Sequence, residues 1–149
     1  MISSMKISLY ILMFSILFSL NAKDYIFESN NSNTVLNTIK YPDGKEYIHI
    51  ENSGLWKDSN GDFGTEKCVG VIKKDKEQSQ VEVRCEHTNQ NDEKFWTLKI
   101  RNSELHDSGG GINTYIAGTG KYQKLVGKKC PYGVKYIESM VWYTQKCRF

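Results

Sequence analysis

Proline and histidine are scarce in this chain, with 2 and 3 residues respectively among 149. Beyond the N-terminal stretch, no apolar run is long enough to cross a membrane as a helix. No segment there holds a 3.6-residue apolar stripe for three turns, which excludes a helix bundle. No CxxC occurs and no histidine lies at ligand spacing from a cysteine, which excludes a zinc ribbon or finger. A Gly-x-Ser-x-Gly elbow is also missing, so nothing points to a serine hydrolase. The Gly120-Lys121 pair fails as a phosphate loop. Tyr115 stands where the first glycine belongs and Tyr122 where Ser or Thr belongs, and no helical pattern follows Gly109-Gly110-Gly111. Asp58, Asn60 and Asp62 have the opening spacing of a calcium loop, but Phe63 replaces its glycine and Val69 its bidentate glutamate. Charge of one sign is lacking too. The 20 Lys and Arg are interspersed with 17 Asp and Glu, as in Lys73-Lys74-Asp75-Lys76-Glu77, which reads as a solvated turn. Neither nucleic acid, cofactor nor metal is implied.

What is present begins with an export signal. Lys6 precedes the apolar run Ile7 to Leu20, and Asn21-Ala22-Lys23 follows. That run is shorter than the ~20 residues of a spanning helix, so Met1–Ala22 reads as a cleaved signal peptide without stable membrane insertion afterwards. Residues 23–149 then form one small domain in a secreted or periplasmic protein.

All four cysteines, Cys68, Cys85, Cys130 and Cys147, lie in the exported part, where disulfides persist. Four cysteines allow three pairings. Local pattern favours Cys68 with Cys85 and Cys130 with Cys147, each 17 positions apart around a turn. In an antiparallel hairpin, Cys68 opposite Cys85 sets Gly70 against Val83 and Ile72 against Val81 on one face. Val69, Val71, Glu82 and Arg84 take the other, with Asp75 to Gln78 as the loop. The second hairpin sets Tyr132 against Gln145, Val134 against Tyr143 and Tyr136 against Val141, with Ile137 to Met140 as its loop.

Elsewhere the chain reads as strand after strand. Asp24 to Ser29 is a short first strand, and Asn30 to Asn37 favours a loop through its Asn, Ser and Thr content. Tyr41-Pro42-Asp43-Gly44 is a turn, followed by alternation from Glu46 to Glu51 with Ile48 and Ile50 on one face. Asn60-Gly61 suits a tight hairpin, with Trp56 and Phe63 packing across it. Thr88 to Glu93 is a polar turn. From Lys94 to Asn102, Trp96, Leu98 and Ile100 are expected inside, with Phe95, Thr97, Lys99 and Arg101 outside. Ile112 to Ala117 and Tyr122 to Gly127 are read as strands flanking a Gly-Thr-Gly bend. About eight strands in ~127 residues give an all-β fold, a single antiparallel barrel with two intra-hairpin disulfides.

Gly118-Thr119-Gly120-Lys121-Tyr122, with Leu125 and Gly127 downstream, resembles a segment of the allene oxide cyclase and dirigent-type barrels. The resemblance covers about a dozen residues and implies an eight-stranded antiparallel barrel of the kind found in small secreted bacterial proteins. Both groups act on hydrophobic small molecules. The functional expectation is a non-catalytic module that binds a small apolar ligand in or at the barrel. Its aromatic candidates are Trp56, Trp96, Tyr115, Tyr122, Tyr136 and Trp142. The alternatives are a cyclase or isomerase drawing on His49, His87, His106 or Glu46, and an envelope or inhibitor protein acting through its outer face. His106 and Asp107 are adjacent, so in a strand they would face opposite ways and could not form a catalytic pair.

Overall fold

A computed structural model describes residues 24–148, so the expected signal peptide lies outside the described residues. Eight strands follow in order: β1 (Asp24–Lys40), β2 (Glu46–Asp58), β3 (Phe63–Lys74), β4 (Ser79–Asn89), β5 (Lys94–Ser103), β6 (Ser108–Gly118), β7 (Lys129–Ile137) and β8 (Met140–Arg148). Every strand pairs antiparallel with the next, and β8 returns to β1, with Asp24 opposite Arg148 and Ser32 opposite Met140. The fold is a closed eight-stranded antiparallel barrel, which leaves no edge where the ring is complete.

Both cysteine hairpins have the expected register. Cys68 faces Cys85, Gly70 faces Val83 and Ile72 faces Val81. Tyr132 faces Gln145 and Tyr136 faces Val141. Disulfides join Cys68 to Cys85 and Cys130 to Cys147. The second turn is tighter than expected, because Ile137 and Met140 pair and only Glu138 and Ser139 remain between the strands.

Four local expectations are corrected. The Asn-rich stretch continues β1 instead of looping, because Ser29 and Asn31 turn into the barrel while Asn30 and Ser32 face out. Trp56 is buried, but Phe63 on the opposite side of β3 is 58% exposed, so the two do not pack across the turn. Residues Gly120–Leu125 form a 3-10 helix, not a strand, folded over one mouth of the barrel. The fourth correction inverts β5: Phe95, Thr97, Lys99 and Arg101 are inside, while Trp96, Leu98 and Ile100 face outward.

The interior has two regions. At the end covered by the 3-10 helix, Phe27, Trp56, Phe95, Tyr115, Tyr122 and Tyr143 are among the residues of an aromatic core. Phe27 stacks on Trp56 at 5.3 Å and Phe95 on His87 at 4.2 Å between ring centroids. Toward the other end, Ile50, Cys68, Val81, Val83 and Cys85 form a smaller aliphatic cluster.

Candidate functional site

Between the two cores lies a buried charged group that the sequence reading did not assemble. Glu66 on β3 faces His87 on β4, with Oε2 3.0 Å from Nε2, and Lys99 on β5 places Nζ 2.9 Å from Oε1. Asn31 Nδ2 also donates to Glu66 Oε1 at 2.9 Å. Burial alone would raise the Glu66 carboxyl, but Lys99 and His87 outweigh it and hold it well below the usual range. Burial pushes His87 down, and Glu66 only partly offsets that; Nε2 faces the Glu66 carboxylate at 3.0 Å and Nδ1 the Phe95 carbonyl oxygen at 3.3 Å, so each ring nitrogen meets an acceptor. Glu66 and Lys99 form the ion pair of the group, and His87 Nε2 lies at hydrogen-bond distance from the same carboxylate. Glu66, Cys85 and His87 lie close enough to suggest a metal site. The chemistry does not fit: the Cys85 sulfur is spent in a disulfide and the Lys99 ammonium occupies the side a cation would need.

Glu66, Lys99 and Arg101 line a cavity of about 30 Å³ together with Asn31, Asn52 and Tyr132. That space has the size of a water site and is far below the several hundred Å³ of a small-molecule pocket. The barrel is filled by its own side chains.

A cleft of about 480 Å³ opens instead at the mouth under the 3-10 helix. Its floor is apolar, made by Tyr25, Tyr122 and Leu125, all buried. Around it stand Asp24, Asp58, Asn60, Asp62, Lys121, Lys124 and Lys128. The segment Gly118-Thr119-Gly120-Lys121-Tyr122 builds this wall, and each residue has a local reason. A Cβ on Gly118 would lie 2.7 Å from the Tyr122 carbonyl oxygen; Gly120 has φ +50, and a Cβ there would overlap the Glu93 carboxylate. Thr119 fastens the bend to β5, donating its N–H to Lys94 O at 2.8 Å and accepting from Lys94 N at 2.7 Å. Lys121 Nζ and the Tyr122 hydroxyl both donate to Asp62, at 2.6 and 3.0 Å.

The acids around the cleft are all occupied from within. Asp58 accepts from the Tyr25 hydroxyl at 3.0 Å and from the N–H groups of Asn60 and Asp62. This settles the three residues with calcium-loop spacing as a turn network around Gly61, whose φ is +89. Burial would raise Asp62, but Lys121, Gln90 and Tyr122 hydrogen-bond it and hold it below the carboxylate range. Asp24 is lowered by Lys146 and Arg148. Burial raises both Tyr25 and Tyr122, keeping them as hydroxyl donors. Lys124, in the last turn of the 3-10 helix, is exposed and meets no hydrogen-bonding or ionic partner among the described residues. The cleft combines an apolar floor, two tyrosine hydroxyls engaged by Asp58 and Asp62, and the exposed Lys124 ammonium.

The expected aromatic set divides in space. Tyr25 and Leu125, which sequence reasoning missed, join Tyr122 at the cleft floor, while Trp56 and Tyr115 belong to the core beneath. Tyr136 is half-buried near Arg101, with its ring 5.9 Å from the guanidinium carbon. Trp96 and Trp142 lie on the outer wall, Trp96 donating to Glu86 at 3.0 Å and Trp142 53% exposed. The polar candidates are not brought together. His49 is exposed on β2, Glu46 pairs with Lys40, and His106, in the β5–β6 loop, bonds Ser79 Oγ at 2.5 Å. His87 alone is buried, within the charged group. One signal for that group was legible: Glu66 stands two before Cys68 and His87 two after Cys85, so the bridged register already put them face to face.

A more open depression of about 540 Å³ crosses the outer wall from Leu36 on β1 to β5, lined in part by Val69, Val71 and Ile100. Two of its charged residues, Glu82 and Arg84, are exposed and pair with each other at 3.2 Å. Comparisons of the chain with protein-family models, curated proteins and solved structures give no match.

Proposed function

We propose that the protein is an exported binding module that takes a small amphipathic anion, an apolar or aromatic body carrying a carboxylate or sulfonate, in the cleft at the barrel mouth. The observation that carries this reading is the pairing of the Tyr25–Tyr122–Leu125 floor with Lys124, whose charge is unneutralised, in a cleft of about 480 Å³. The groups around it favour binding over proton transfer. Asp24 and Asp62 are held below the carboxylate range, and both tyrosines are raised away from neutrality. Export is supported by the N-terminal signal pattern and by two disulfides in a small barrel. The resemblance to allene oxide cyclase and dirigent-type barrels, which handle hydrophobic small molecules, supports the same ligand class.

Titration with 1-anilinonaphthalene-8-sulfonate, an aromatic anion, tests the reading. Saturable one-to-one binding is expected, with affinity falling at least about tenfold in Lys124→Glu, since reversing a charge beside a bound anion is worth more than ~1.4 kcal/mol. Binding that ignores the substitution, or no binding, overturns it.

A further inference from the structure

The barrel is closed along only part of its first strand. β8 pairs with β1 from Asp24 to Ser32, whereas β1 runs on to Lys40 and its other side stays paired with β2 to the end. Just past β8, the Asn33 N–H is taken by Ser139 O at 2.7 Å from the β7–β8 turn. From Thr34 to Lys40, the side of β1 turned away from β2 has no strand beside it among the described residues. Every residue from Thr34 to Lys40 is exposed, including Val35 at 55%, Leu36 at 58% and Ile39 at 51%. The N–H of Thr38 turns to the side chain of its own neighbour, Asn37 Oδ1, at 2.8 Å.

Such an edge is a template for another strand unless something blunts it. Here the blunting is slight. The bulge between Val35 and Asn37 adds local twist, but no proline interrupts residues 34–40 and Lys40, at the far end, is their only charge. That charge already pairs with Glu46 at 3.2 Å on the β2 side.

We propose that residues 34–40 are a self-association edge and that the occupant is the same edge of a second copy of this chain, paired antiparallel about a two-fold axis. Two features select a second copy. Antiparallel pairing of a strand with itself is self-complementary, so one contact satisfies both open edges and closes the assembly at two. The meeting segments, Thr34 to Ile39, are uncharged in both copies, so no like charges oppose each other, and their Val, Thr and Ile side chains are those that stabilise cross-strand pairs. A contact of this length is small, and the dimer is expected to depend on concentration.

The experiment is sedimentation velocity of the disulfide-bonded protein from about 1 µM to about 1 mM, beside the double variant Val35→Lys/Ile39→Lys, which puts like charges on the edge without touching the core. The wild type is expected to shift from monomer to dimer, and the variant to remain monomeric with an unchanged circular dichroism spectrum. Hydrogen exchange on the wild type gives a reading independent of the variant's folding: amides in residues 34–40 should slow at high concentration, while those of β4 do not change. A wild type monomeric throughout, a folded variant that dimerises equally well, or exchange across residues 34–40 indifferent to concentration overturns the proposal. A dimer whose protection falls on the outer wall of β2 to β5 does so as well.

Discussion

β4 and β5 are neighbours in the sheet, of similar length, and both alternate cleanly. They nevertheless bury opposite kinds of residue. β4 turns Val81, Val83, Cys85 and His87 inward and shows Glu82 and Arg84 to solvent, as a half-buried strand ordinarily does. β5 turns Phe95, Thr97, Lys99 and Arg101 inward and leaves Trp96, Leu98 and Ile100 on the outer wall. The difference shows that alternation identifies two faces without saying which is the inner one. In β5 the choice was made by partners: Glu66, two strands away on β3, for Lys99, and the carbonyls of His106 and Ser108 for Arg101. A charge is tolerated inside when its partner is already there, and an apolar side chain is tolerated outside at little cost.

The strongest way to break the comparison is to remove the partner. Glu66→Gln leaves Lys99 buried without its carboxylate and is expected to lower unfolding free energy by about 3–5 kcal/mol, read from urea denaturation. A loss below ~1 kcal/mol would mean that Lys99 reaches solvent and that β5 is not inverted as described.

Acid sharpens the same point. Glu66 and His87 both sit below their ordinary values, so each binds fewer protons folded than unfolded and adds stability that falls as pH drops. The decline begins below about 6.5, where the unfolded histidine takes up a proton that the buried ring resists, and continues below about 4.5, where unfolded Glu66 protonates. Urea midpoints at about pH 7.5, 5.5 and 4 should descend in that order, and a level profile would contradict the buried group.

The smallest effect belongs to the outer face. Ile100→Lys should change stability by no more than about 0.5 kcal/mol, because the side chain is already 39% exposed. A larger loss would show the outer row of β5 to be covered.

The cysteine hairpins were legible because two constraints coincided: the equal spacing and an apolar alternation in phase with it. β5 carried only the alternation, with aromatic residues on both faces at Phe95 and Trp96, so its phase was open. The strand content of residues 30–37 was hidden because Asn and Ser prefer turns in isolation; pairing with β2, and with β8 as far as Ser32, overrode that preference. The cleft was half legible. Its bend was conspicuous through Gly118 and Gly120, but Asp62 and Lys121 stand far apart in the chain and meet only once the barrel closes.

The seam between β1 and β8 has a consequence for the order of assembly. Asp24 finds its opposite only in Arg148, so in a chain made amino end first one side of β1 pairs early with β2 while the other waits for the last strand. The neighbouring hairpins and both short-range sulfur links can form meanwhile. Ring closure then comes last, and the half-finished sheet, with two raw margins instead of a seam, is the species most open to mispairing.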